Sequence, residues 1–245
     1  MPKIMGYNQR LFARGLRAWF HYARFRWFQE EVATRACRTD AVLELGCFDG
    51  KLLDFIHPAP ARYVGFDADW EGGLAIAASR AQPNCRFLKA TSAADMVLRE
   101  DEIFTLAVCM ETLEHVPPAL VDGYLGTIAA HLDGYLFVTV PNEKGAIFLA
   151  KWLAKRMLRA GGEPYTFAEL VNATLGRTDR VARGQHKGFD WQRLVQEVTA
   201  HFELVEVSGH PIGILPPWLC FTIGIVARSP TGRDSRPQRM ARELN

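Results

Sequence analysis

From Ala41 onward, short runs rich in β-branched and aromatic residues alternate with longer stretches of helical periodicity. AVLEL (41–45), RYVGF (62–66), CRFLKA (85–90), FTLAVCM (104–110) and YLFVTV (135–140) read as strands. Between them the pattern predicts helices from Gly50 to about Ile56, cut off by Pro58 and Pro60, from Gly73 to Ala81, stopped by Pro83, and from Pro118 to Leu132. Strands alternating with helices imply βαβ units, hence a mostly parallel sheet covered on both faces. A further helix is expected from Trp191 to His201. FELVEVSG (202–209) and LCFTIGIVARS (219–229) follow with no helix between them, so they should form an antiparallel pair closing one end of the sheet.

Two segments stand outside this alternation. Residues 8–28 form a helical pattern that sets Arg10, Arg14, Arg17, His21 and Arg24 on one stripe, with an adjoining apolar face that includes Phe12, Trp19, Ala23 and Trp27. Residues 143–187 are too long for an ordinary connection. Their first part places Lys151, Lys155 and Arg159 on a second basic stripe, beside Phe148, Trp152, Leu153 and Met157. The chain therefore divides into a helical cap (1–39), a core (40–142), a helical insertion (143–187), a last helix and strand pair (188–229) and a polar tail (230–245), all within one domain.

A length of 245 residues, with 49% hydrophobic and 23% charged content, excludes a disordered or fibrous chain. No run approaches the roughly 18 apolar residues of a membrane span. Arginines interrupt the N-terminal stretch, so a cytoplasmic location is expected. Five scattered cysteines without a CxxC pair argue against a disulfide framework and a zinc site, and no metal ligands are assigned. The formal charge of +2 hides an asymmetry: segments 1–30, 31–142, 143–187 and 188–245 carry +5, −8, +5 and 0.

The turn after the first strand reads Glu44-Leu-Gly46-Cys47-Phe-Asp-Gly50. Its glycines either build a tight turn or let a ligand approach the backbone where no Cβ intervenes. The dinucleotide fingerprint GxGxxG is not met. Asp67 lies just past the second strand, on the crevice side of an open α/β sheet, where a carboxylate can accept both hydrogen bonds of a ribose diol. Asp69 is better read as the N-cap of the next helix.

The ordered series ELGCFDG, FDAD, CMETLEHV and VTVPNE resembles the class I S-adenosylmethionine-dependent methyltransferases, especially the small-molecule and ubiquinone-biosynthesis-like group, over roughly residues 40–142. The resemblance implies a Rossmann-like seven-strand sheet, mostly parallel with an antiparallel C-terminal strand, with helices on both faces. It implies S-adenosylmethionine as cofactor, with Gly46, Cys47 and Gly50 against its methionine portion and Glu44 helping to hold it. Asp67 would take the ribose, and Ala68 would lie near the adenine. Thr91 stands where many relatives have an acid for the adenine amino group, and Phe48 where they often have glycine. Met110, Glu111 and His115 fall where such enzymes face the methyl group.

Methyl transfer from a sulfonium needs mainly alignment, and a base only if the acceptor is a hydroxyl. His115 is the first candidate base, with two readings open: proton acceptor, or a residue packing the start of the following helix. Glu111 and Glu114 are either part of the site or a solvated loop pair. His186, bracketed by Gly184 and Gly188, ranks second, and Tyr165 and Asn172 share its segment. The basic segments 8–28 and 146–159 either meet an anionic acceptor or membrane surface, or simply leave cationic faces in water. O-methylation of a small molecule, lipid or glycan is the leading expectation. An NAD(P)-dependent oxidoreductase and a non-catalytic peripheral membrane or scaffold protein that keeps a degenerate methyltransferase fold are the alternatives, the latter suggested by Phe48 and Thr91, and nucleic acid is disfavoured as a partner.

Overall fold

The computed structural model describes residues 16–80, 82–157 and 162–230. Arg10, Arg14, Phe12, Arg159 and the tail from 231 onward lie outside them.

Seven strands form one sheet in the order β3-β2-β1-β4-β5-β7-β6. They are β1 (Ala41–Leu45), β2 (Arg62–Asp67), β3 (Cys85–Lys89), β4 (Phe104–Met110), β5 (Leu132–Pro141), β6 (Glu203–His210) and β7 (Thr222–Arg228). The first five are mutually parallel, and β7 runs antiparallel to both β5 and β6. The helices are α1 (Leu16–Thr34), α2 (Gly73–Arg80), α3 (Pro118–Ala130), α4 (Gly145–Met157), α5 (Phe167–Thr174) and α6 (Trp191–Thr199). Among the described residues no helix is long and apolar enough to cross a membrane.

The central strands are apolar throughout because both faces are covered. Leu43, Val64, Ala107 and Val138 point into a core closed by Leu125 and Ile128 of α3 and by Leu194 and Val198 of α6. Val42, Tyr63, Leu106 and Phe137 point the opposite way, toward Phe25, Trp27 and Phe28 of α1. Phe25 stacks on Phe55 with ring centroids 4.3 Å apart, and Trp27 tilts against Phe137 at 5.8 Å. Each such side chain contributes roughly 1.5–3 kcal/mol on leaving water. Those contacts hold α1 across the sheet.

Three elements differ from the sequence expectations. Residues 51–55 wind as a 3₁₀ turn rather than an α-helix, entered through Gly50 at φ +71°. The α1 helix runs on to Thr34, past the expected end at 28. Arg24, expected on its cationic stripe, is half-buried, because the face of α1 that packs on the sheet is wider than the aromatic positions alone. Lys151 of α4 likewise turns inward: its Nζ donates to the Glu143 carboxylate at 2.6 Å and to the Asn142 carbonyl at 3.0 Å. Cys47, Cys109 and Cys220 are buried, whereas Cys37 and Cys85 are half-exposed.

Candidate active site

In this strand order the chain reverses direction of growth between β1 and β4, and the C-terminal ends of the strands there open a crevice. Among the described residues four non-glycines have positive φ, and three of them, Phe48 (+42°), Asp69 (+60°) and Glu111 (+52°), lie in the loops leaving β1, β2 and β4. Backbone strain of this kind gathers at functional sites.

On the β1–β2 side the site is built from backbone. Gly46 sits at φ +84°, and a Cβ there would fall 1.9 Å from Thr112 Oγ1. Its amide donates to the Phe66 carbonyl at 2.7 Å, which ties the glycine turn to β2. The Asp67 carboxylate completes that tie, accepting from the Phe48 amide at 2.9 Å and the Asp69 amide at 2.7 Å. Each oxygen keeps a lone pair for a further donor. Asp69 accepts from the Leu74 amide at 3.2 Å and so caps α2. Phe48 lays its ring over Gly73, where any Cβ would meet it at 2.5 Å, so the unusual residue in the turn is matched by a small one in the helix. Cys47 is buried against Gly65. Ala68 is half-buried at the rim. The Thr91 hydroxyl and amide both donate to Asp95, at 2.9 and 2.8 Å, so its hydroxyl is already committed within its own turn.

Glu44 lies beneath this turn, hydrogen-bonded by the Tyr63 hydroxyl. Burial raises its pKa to about 8, against the pull of that hydrogen bond and of Arg24.

On the β4–β5 side the site is built from side chains. Glu114 is fully buried, so of the two readings left open for Glu111 and Glu114 the solvated pair falls. Burial pushes both carboxyls above the usual range; proximity to Glu111 adds to this for Glu114, and Arg24 opposes it for both. Neither carboxylate oxygen of Glu114, nor Glu111 Oε1, has a hydrogen-bond partner among the described residues. His115 Nε2 stands 3.8 Å from Glu114 Oε1. The His115 and His186 rings meet edge to face at 4.5 Å, and Trp70 closes on His115 from the β2 loop at 6.4 Å. Burial and the neighbouring His186 and Arg183 hold His115 neutral, with a pKa of about 4. A neutral imidazole can accept a proton, but one so acidified holds it weakly. Met110 is buried at the end of β4.

His186 reaches this place because its loop is pinned. The Glu163 carboxylate accepts from three successive amides, those of Gln185, His186 and Lys187, at 2.9–3.0 Å. A Cβ at Gly184 would fall 1.9 Å from that carboxylate, which is the reason for the glycine. Arg183 donates to the Glu114 carbonyl at 2.6 Å and fastens the insertion to the loop after β4. Tyr165 packs on Phe148 at 5.1 Å, and Asn172 bonds the Ala168 carbonyl of its own helix. Neither points to the cluster through these contacts.

The structure thus brings Glu114, His115 and His186 together, with Glu111 near Glu114, and sets Glu44, Gly46, Cys47, Gly50 and Asp67 around the adjoining turn. Sequence reasoning missed Trp70, Glu163 and Arg183, and it placed Arg24 on a basic stripe without linking it to the site. Only Arg183, beside the glycine-bracketed loop, had a signal that could have drawn attention.

The residues fit a nucleoside carrying a sulfonium. Backbone at positive φ lines the turn, Asp67 retains acceptor capacity, and buried carboxyl groups lie where a cation would sit.

A family model described as a methyltransferase domain matches residues 13–176. No curated protein matches the chain in sequence. Among solved structures, an S-adenosylmethionine-dependent methyltransferase from Clostridium acetobutylicum superposes with a TM-score of 0.61 at 12% identity, covering 91% of this chain and 98% of that one. The N-methyltransferase NodS from Bradyrhizobium japonicum gives 0.54 at 14%, covering 86% and 97%. Magnesium protoporphyrin IX methyltransferase from Synechocystis, with S-adenosylhomocysteine bound, gives 0.55 at 14%, covering 91% and 92%. At these identities the likeness is one of fold.

Proposed function

The chain belongs to the methyltransferase-domain family and is an S-adenosylmethionine-dependent enzyme, and from that premise we propose that it methylates a hydroxyl of an anionic, lipid-like acceptor. The oxidoreductase alternative falls with the family assignment.

When bound, the cofactor supplies a methyl group on a sulfonium, an activated leaving group. Gly46, Cys47 and Gly50 would hold its methionine portion, Glu44 would support that turn, Asp67 would take the ribose hydroxyls, and Ala68 would border the adenine. Thr91, with its hydroxyl bonded to Asp95, offers the adenine no more than its turn. The acidic core suits a cationic donor, which is how the −8 of residues 31–142 enters the function.

The observation that carries the acceptor reading is the enclosed cluster of Glu111, Glu114, His115 and His186 at the end of β4, beside the cofactor turn. An amine acceptor needs no base, whereas a hydroxyl does, and these are the groups that can receive or steer its proton. The lipid-like character rests on the insertion. Leu153 and Met157 of α4 are exposed next to Lys155 and Arg156, and α4 packs on the turn that exposes Trp218. Apolar side chains rimmed by cations suit an acyl chain beneath an anionic headgroup, or contact with a membrane surface there.

Calorimetry with S-adenosylhomocysteine, followed by label transfer from S-adenosylmethionine to hydroxylated lipids in anionic and in zwitterionic vesicles, tests the reading. Transfer should favour the anionic vesicles and fall in Lys155→Glu/Arg156→Glu while homocysteine-product binding stays intact. Equal transfer by the double variant would remove the anionic-surface part of the reading, and labelled amines in place of hydroxyls would remove O-methylation.

A further inference from the structure

We propose that Glu114, His115 and His186 form a divalent-metal site at the acceptor end of the crevice. One donor atom from each lies within 4.8 Å of those of the other two. Glu114 is wholly buried with both carboxylate oxygens unpartnered among the described residues, and Nδ1 of His115 and of His186 are buried without a partner as well. Leaving several polar atoms desolvated and unsatisfied costs about 1–3 kcal/mol each, so such a cluster is retained where something completes it.

The two sides of the cluster are also held in place and to each other. Glu163 clasps three amides of the His186 loop, and Arg183 grips the carbonyl of Glu114 itself. The donors come from the loop after β4 and from the insertion, segments far apart in sequence. Their meeting is therefore a product of the fold and of these anchors.

Two imidazoles and one carboxylate suit a borderline ion such as Zn²⁺, Co²⁺, Mn²⁺ or Fe²⁺ over Ca²⁺. Bonds of about 2.0–2.2 Å place neighbouring donors about 3–4 Å apart, so the three side chains draw inward on binding. Three protein donors leave positions open for an acceptor oxygen. An ion there acts as a Lewis acid: a hydroxyl bound to it becomes more acidic, its proton passing to bulk water. That activates the hydroxyl without a protein base.

The test uses the full chain, purified without a polyhistidine tag and stripped with EDTA. Titration with Co²⁺ should give a saturating visible absorption at one equivalent, displaced by Zn²⁺. His186→Ala and the isosteric Glu114→Gln should each weaken Co²⁺ binding more than about tenfold. Far-ultraviolet circular dichroism checks both variants, and His186→Ala, in a loop pinned through its backbone, carries the test if Glu114→Gln does not fold. Absence of stoichiometric Co²⁺ binding, or binding unchanged in His186→Ala, overturns the proposal. S-adenosylhomocysteine calorimetry runs in parallel. Its binding without Co²⁺ binding defeats the metal site alone, whereas Co²⁺ binding without it upholds the site and defeats the methyltransferase reading.

Discussion

The two halves of the crevice are built by opposite means. The cofactor half, around β1 and β2, is made of backbone: glycines at positive φ and amides tied down by one carboxylate, Asp67. The acceptor half, beyond β4, is made of ionisable side chains drawn from α1, the β4 loop and the insertion. Backbone cradles tolerate no added atoms but tolerate changes of charge nearby. A buried side-chain cluster is the reverse, since each charge depends on its neighbours.

Gly46→Val should break the first half most completely, because it adds a Cβ at 1.9 Å from Thr112 Oγ1 and a β-branched residue at φ +84°. A stability loss above about 3 kcal/mol in urea unfolding is expected. Adding Thr112→Ala should restore only part of it, since the backbone strain remains and the residue 112 Cβ still lies 2.7 Å from the added one. Full restoration would mean that the clash alone matters.

Asp67→Ala removes the proposed ribose acceptor along with the anchor of two amides. Affinity for S-adenosylhomocysteine should fall about 100-fold by calorimetry, which corresponds to about 2.7 kcal/mol. A loss under threefold would place the nucleoside elsewhere.

Arg24→Met attacks the other half. The guanidinium attracts Glu44, Glu111 and Glu114 at once, and its loss leaves three buried acids less compensated. Unfolding should show roughly 1–3 kcal/mol of destabilisation with cofactor affinity little changed. If affinity falls as far as stability, the two halves are not separable in the way drawn here.

Glu44→Gln tests the boundary between them. The native pKa of about 8 exceeds the ordinary 4.5, so the folded state holds the extra proton between those values. Stability therefore falls as pH rises from about 4.5 to 8, and the loss persists above. The glutamine variant still accepts from Tyr63 and should not share that fall, gaining at least about 1 kcal/mol over the parent at pH 8.5. Parallel thermal-melting curves across pH would contradict this.

The amino-acid sequence alone determined the sheet, its sense and the glycine turn after β1. Strand periodicity, proline and glycine breaks and the Gly46–Gly50 turn are local signals, and parallel strands buried on both faces read as apolar runs that few other folds accommodate. It did not determine which charges face water. Arg24 and Lys151 sat on helical stripes that looked solvated, and Glu111 and Glu114 looked like a loop pair, because periodicity reports a helix face but not what covers it. Burial of those groups was decided by the packing of α1 across the sheet and by the folding back of the insertion. The meeting of His115 and His186 depended on Glu163 and Arg183 holding two loops together. Such contacts join residues far apart along the chain, and their energy exists only once the tertiary structure has excluded water from around them.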